Sequence, residues 1–166
     1  MNRTVLIDAH RAAGAKLVDF HGWGVNSTAQ SMFSGFRDKS DQDGFLVAWP
    51  QGLGDVPSWN AGGCCGYAAQ NDIDDVGFAR ALVADVAART AIELDRVYAT
   101  GQSNGGAITH RIGCEAADVF AGIAPVAYTL PLGLVDSCDP ARPIPVAHFH
   151  GLKDPTVPYD GNRGLL

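Results

Sequence analysis

The sequence predicts an α/β fold, with a mainly parallel sheet of about five strands and helices on both faces. Short apolar runs recur along the chain: "KLVDF" (16–20), "GFLVAWP" (44–50), "RVYATG" (96–101), "FAGIAPVA" (120–127) and "IPVAHFHG" (144–151). They read as unbroken apolar segments rather than alternating ones, which is the pattern of strands covered on both faces. Helical patterns lie between them, and strands that alternate with helices build parallel sheets. A length of 166 residues fits a single domain with a real core.

Each element has a local reason. Pro50 closes the second run. In 74–90, Val76, Ala79, Leu82, Val83 and Val86 fall at spacings of three and four, so one helical face is apolar. Asp74 and Asp75 favour the start of that helix through its dipole, and Asp85 and Arg89 form an i,i+4 pair on another face. A second helix is expected to start after Ser103 and run to about Cys114. Residues 4–13 are expected as a short helix. The segment 50–72 is Gly-rich and long, and loops of that length in a compact domain are usually functional or disordered.

Composition excludes several function classes. The net charge of −6 and a pI near 5.1 speak against a nucleic-acid surface, which needs clustered Lys and Arg. No apolar run approaches the roughly 20 residues of a membrane span, so no membrane partner is expected. The start "MNRTVLIDAHRAAGA" does not read as a signal peptide, because Asp8 and His10 break its short apolar run. The four cysteines, Cys64, Cys65, Cys114 and Cys138, allow three disulfide pairings and match no zinc spacing, and no metal is expected. Both buried thiols and disulfides fit the count.

The chemistry concentrates in "YATGQSNGGAITH", 98–110. Gly101-Gln102-Ser103-Asn104-Gly105 lies between an apolar strand and a helix. G-x-S-x-G in that context makes a tight turn that lifts the serine hydroxyl clear of the sheet, so Ser103 is the candidate nucleophile. The flanking glycines are needed because neighbouring backbone passes close. His21-Gly22-Trp23-Gly24 follows the "KLVDF" strand. A nucleophile elbow needs a second backbone donor for the oxyanion, supplied in α/β-hydrolases by such a turn. The amides of Trp23 and Asn104 are the candidates, with His21, Gly22 and Gly24 shaping the turn. In "HFHGLKDPTVPYDG", 148–161, Asp154 follows the last strand and is the candidate triad acid, with Asp160 the weaker one. A catalytic histidine is expected after Asp154, and 155–166 contain none. His10, His21, His110, His148 and His150 are poorly placed substitutes. Trp59 and Tyr67, with Trp23, are candidates to line a substrate groove, core and loop packing being the plain alternative.

These motifs together resemble the polyhydroxybutyrate depolymerase and feruloyl esterase-like family of α/β-hydrolases. The matching stretches are "VDFHGWG", "SWNAGGCCG", "DDVGFARALVADVA", "DRVYATGQSNGGAITHRIGCE", "FAGIAPVA" and "HFHGLKDPTVPYDG", spread over about 17–161. The resemblance implies extracellular serine esterases with no cofactor, acting on polyester or on aromatic and acetyl esters of plant polysaccharide. Carried over by position, it makes Ser103 the nucleophile, Asp154 the acid and His21 to Gly24 the oxyanion turn. It also favours disulfides among the four cysteines without fixing pairs.

Against the family, 1–166 reads as a single, truncated α/β-hydrolase domain. It lacks the C-terminal segment that carries the family's histidine and the usual N-terminal strands. The stretch 3–23, "RTVLIDAHRAAGAKLVDFHGW", is instead similar to the start of the glycine cleavage system T protein, but so short a stretch cannot form a folate site. The expected activity is ester hydrolysis, impaired as the chain stands. The rival reading is an inactive ester- or polysaccharide-binding relic. An open sheet edge invites pairing into a homodimer.

Overall fold

The computed structural model describes residues 3–8 and 14–161. In chain order the elements are β1 (Val5–Asp8), β2 (Lys16–Phe20), α1 (Ser27–Phe33), α2 (Phe36–Asp43), β3 (Leu46–Pro50), α3 (Gly66–Gln70), α4 (Asp75–Arg89), β4 (Val97–Gln102), α5 (Asn104–Glu115), β5 (Gly122–Val126) and α6 (Leu132–Val135). Among the described residues the strands form one sheet in the order β1-β3-β2-β4-β5. β3, β2, β4 and β5 run parallel, and β1 pairs antiparallel with β3 at the edge.

Two expectations are corrected here. Residues 5–8 are not helical but form strand β1, which pairs antiparallel with β3 at the edge of the sheet. The rest of the expected 4–13 helix, from residue 9, lies outside the described residues. The run 144–151 is not a continuous strand. It meets β5 through isolated parallel bridges, Ile123 with Val146 and Val126 with Phe149. Pro143 and Pro145 lack an amide to donate, which limits a regular ladder there.

The helices expected over 74–90 and from Ser103 to about Cys114 agree closely with the structure. α4 spans Asp75–Arg89 and buries Val76, Ala79, Leu82, Val83 and Val86. Asp74 caps it by accepting from the Gly77 amide at 2.7 Å. Asp75 has a different role. Its carboxylate is buried, ion-paired with Arg3 and bonded to the Asn60 amide. Arg3 also lies over the Phe78 ring, 4.2 Å from its centroid. The N-terminal segment is thereby fastened to α4.

The core forms between the sheet and α4 and α5, from Val18, Phe20, Ala48, Ala99, Ile108, Ile112 and Phe120 among others. Segment 50–72 is folded into this core through Trp59, Ala61 and Ala68. No helix among the described residues is long and apolar enough to cross a membrane.

The cysteines pair as Cys114 with Cys138 and Cys64 with its neighbour Cys65. The first bond joins the end of α5 to the segment after α6, closing a loop with a sequence separation of 24. Cross-linking a loop of that size restricts the unfolded chain. Replacing Cys114 by serine is therefore expected to lower the unfolding free energy by about 3 kcal/mol. Urea unfolding measures it, and an unchanged midpoint would show that the bond contributes nothing in solution.

Candidate functional site

Ser103 sits between β4 and α5 with φ 55° and ψ −124°. A non-glycine residue at such a φ is strained, and strain of this kind persists only where the surroundings over-determine it. Here they do. The Ser103 amide donates to Val126 O at 3.0 Å, and its carbonyl accepts from Ala107 at 2.9 Å. The two glycines of the motif are required by contact. A Cβ on Gly101 would meet Phe20 O and Gly105 O at 2.6 Å, and one on Gly105 would overlap Phe20 O outright. The elbow is thus pressed against the carbonyl end of β2.

That contact brings the His21–Gly24 turn to Ser103. A Cβ on Gly22 would lie 3.5 Å from the Ser103 Cβ. Within the turn, Gly24 N donates to Pro57 O at 2.9 Å and Val25 N to Gly22 O at 3.1 Å. The Trp23 amide makes no backbone bond among the described residues. Asn104 opens α5, so its amide has no carbonyl to reach within the helix. The helix N-terminus adds positive potential at the same place.

The ring of His21 is wholly buried. Its Nε2 lies 2.9 Å from the Gly52 amide, which can only donate, so Nε2 accepts. The proton therefore resides on Nδ1, which donates to Gly22 O at 2.8 Å. Burial lowers the His21 pKa and keeps the ring neutral. Both nitrogens are committed, so His21 holds the turn and is not available as a base.

Asn104 has a second use. Its side chain accepts from the Trp59 amide at 2.8 Å and donates to Trp59 O at 3.0 Å and Cys64 O at 3.1 Å. The indole of Trp59 donates to His21 O at 2.9 Å. The expectation that Trp59 lines a substrate groove is corrected. Trp59 is fully buried among Phe20, His21 and Phe78, where a large aromatic recovers most area. Tyr67, by contrast, is exposed.

Asp154 lies in the turn after 144–151. Its Oδ1 accepts from the amides of Thr156 at 2.9 Å and Val157 at 3.0 Å, and Oδ2 lies 3.6 Å from His150 Nε2. The Val157 and Thr156 amides hold its carboxyl below the usual range, with His150 adding to the effect. Asp160 follows in the segment after that turn. A cavity of about 600 Å³ opens beside it, walled by Tyr128, Leu130, Leu132, Thr156, Val157 and Tyr159 among others.

The remaining histidines form a separate group. The His110 and His148 rings are 5.6 Å apart, and those of His148 and His150 are 5.4 Å apart. His110 Nε2 is 3.1 Å from Tyr128 O and His150 Nε2 is 2.7 Å from Val157 O. His110 is six residues into α5, about 9 Å along the axis from its start. Among the described residues no histidine nitrogen hydrogen-bonds to Ser103, and no cluster of three His, Cys, Asp or Glu could hold a metal ion. His10 lies outside the described residues.

One buried residue behind the turn escaped the sequence reading. Asp19 accepts from Gln30 Nε2 at 2.8 Å and Trp49 Nε1 at 2.9 Å, tying α1 and β3 to the end of β2. Its place inside an apolar strand is the signal that could have found it.

No family model matches the chain. Over 123 residues it is 39% identical to feruloyl esterase B of Piromyces equi, covering 72% of this chain and 22% of that protein. It is 25% identical over 150 residues to the bifunctional acetylxylan esterase/xylanase XynS20E of Neocallimastix patriciarum, covering 90% of this chain and 21% of that protein. The chain thus spans about a fifth of the length of these two curated relatives. Among solved structures, acetyl xylan esterase from Aspergillus awamori superposes with a TM-score of 0.65 at 19% identity, over 74% of this chain and 46% of that one. Over these stretches the chain is similar to feruloyl and acetylxylan esterases, and it has an α/β-hydrolase fold.

Asp19 gives the fold a pH dependence. Burial pushes its carboxyl up to about 6, against hydrogen bonds that pull it down. A raised acid pKa means the folded state binds the proton more tightly than the unfolded one. The associated stability is present below about pH 4 and is lost as pH rises through about 6. About two pKa units correspond to about 3 kcal/mol. Unfolding free energies at several pH values across this range should fall more steeply for the wild type than for Asp19→Asn. Parallel profiles would show that Asp19 titrates normally.

Proposed function

We propose that this chain carries the nucleophile and oxyanion parts of a serine carboxylic-ester hydrolase acting on feruloyl or acetyl esters of plant polysaccharide. The observation that supports it most is Ser103 held at positive φ with the His21–Gly24 turn packed against it. Ser103 Oγ attacks the ester carbonyl, and the Trp23 and Asn104 amides receive the developing oxyanion. The tetrahedral intermediate collapses, the alcohol leaves with a proton, and water releases the acyl group from Ser103. Asp154 is the acid that would orient a histidine and stabilise its imidazolium. The names of the relatives favour polysaccharide esters over a polyester.

No histidine contacts Ser103 among the described residues, so the chain by itself is expected to turn over slowly. Losing the triad histidine costs roughly six orders of magnitude in kcat. The Cys114–Cys138 bond suits work in an oxidising compartment. The open edge at 146–149 is where a second copy would pair, a state that activity rising with protein concentration would reveal.

Free imidazole can stand in for an absent general base. With p-nitrophenyl acetate and methyl ferulate as substrates, added imidazole is expected to accelerate the wild-type chain at least about tenfold over Ser103→Ala. Mass spectrometry is expected to find the acyl adduct on Ser103. Equal rates for the two proteins, with no adduct, would leave the elbow as a fold relic and favour the binding reading.

A further inference from the structure

Trp23, Val56 and Tyr67 come from three separate stretches of chain that pack together through their glycines at the surface. Each is about half exposed, at 45%, 53% and 43%. The other two tryptophans, Trp49 and Trp59, are completely buried. Exposed apolar side chains scattered singly need no explanation, but a contiguous group does.

The group is built on glycines. A Cβ on Gly24 would lie 3.5 Å from Val56 Cγ1, one on Gly54 would meet the Tyr67 Cβ at 2.6 Å, and one on Gly66 would meet Trp23 Nε1 at 2.7 Å. All three glycines have positive φ, at 72°, 102° and 65°. At Gly54 and Gly66 a side chain would push Tyr67 and Trp23 off the backbone. Glycine at both points lets the two rings lie close to the chain, and positive φ makes any substitution there strained as well. The turn that carries Trp23 also places Gly22 against Ser103, so the aromatic surface begins beside the nucleophile.

We propose that Trp23, Val56 and Tyr67 form an open platform that stacks sugar residues of the polysaccharide ester next to Ser103. The inference rests on the esterase reading and adds the part of the substrate that the platform holds. The openness of the surface decides between a sugar chain and a free aromatic acid. A small apolar ligand is held in a cleft that buries most of its surface, whereas these side chains stand half in water and border none of the five main cavities. An extended saccharide stays hydrated on its hydroxyl edges and offers apolar C–H faces to the electron-rich face of an aromatic ring. The rim suits those hydroxyls. Asp55 is exposed between Gly54 and Val56, and exposed Gln70 lies three residues from Tyr67 on α3, on the same helical side.

Binding can be tested without turnover, using the whole chain with Ser103→Ala and xylohexaose as the probe. Trp23 is the exposed tryptophan, so a saturable change in indole fluorescence reports on the platform directly. Adding Tyr67→Ala, which leaves the reporter in place, is expected to weaken binding about tenfold, and Tyr67→Phe to retain it. Trp23→Ala, read by calorimetry, is expected to weaken binding to a similar extent. Thermal unfolding checks that each variant is folded. The proposal is overturned by no saturable signal at millimolar xylohexaose. It is equally overturned if Tyr67→Ala and Trp23→Ala bind as well as the parent, or if ferulic acid saturates the signal and xylohexaose does not. Because Ser103 is absent from the test protein, failure here leaves the ester chemistry standing, and failure of imidazole rescue leaves the platform standing.

Discussion

The closeness of two stretches of backbone sets the rest of the site. Gly101 and Gly105 allow the elbow to touch the carbonyls of Phe20 and Gly105 itself, closer than any side chain permits. β2 and β4 are adjacent parallel strands in register from Lys16 with Val97 to Phe20 with Gly101. Both therefore end at the same height, and the two turns that follow them must share one small volume. The Ser103 elbow and the His21–Gly24 turn arise there together, because backbone amides at the ends of neighbouring parallel strands are already side by side.

The polar groups around that contact explain why so much irregular chain is ordered. Segment 50–72 has few regular hydrogen bonds of its own, yet Trp59 and Asn60 are buried. Its backbone is satisfied by side chains from elsewhere: Asn104 takes Trp59 and Cys64, Asp75 takes the Asn60 amide, and His21 takes Gly52. Of these buried polar side chains, Asn104 belongs to the elbow and His21 to its turn, while Asp75 holds the loop from α4. Removing one would leave buried backbone unpaired, at about 1–3 kcal/mol per group. The loop and the turn are therefore a single polar network, and the surface platform is its outer side.

The sequence showed much of this frame and little of that network. Strands 16–20, 46–50, 97–102 and 122–126 were legible because parallel strands buried on both faces are continuously apolar, and α4 because its period is regular. β1 was missed because an edge strand of four residues carries almost no pattern, and α1 and α2 because neither has a strong apolar face to read. The elbow was legible because its glycines have a steric meaning. Trp59 was misplaced for a related reason: an aromatic in a Gly-rich loop looks the same whether it turns inward or outward. Only the partners of its indole, His21 O, and its backbone, Asn104, decide the direction, and both are distant in sequence.

The His21–Gly24 turn and the Asp154 turn differ in how they are held. At the end of β2 both ring nitrogens of His21 and both side-chain amide atoms of Asn104 have buried partners, while the Asn104 backbone amide is left open. In its own turn, Asp154 commits Oδ1 to the Thr156 and Val157 amides and keeps Oδ2 turned toward His150 at 3.6 Å, longer than a hydrogen bond. One oxygen thus fixes the carboxylate in its turn, and the other remains available to orient an imidazole. His150 does not use that opportunity fully, since its Nε2 is bonded to Val157 O at 2.7 Å. A carboxylate held ionised by backbone amides, with one oxygen uncommitted, is suited to hold an imidazolium in place. The Asp154 carboxyl is therefore held below its usual range mainly by the Val157 and Thr156 amides, whereas the imidazoles around it are engaged with Val157, Tyr128 and one another.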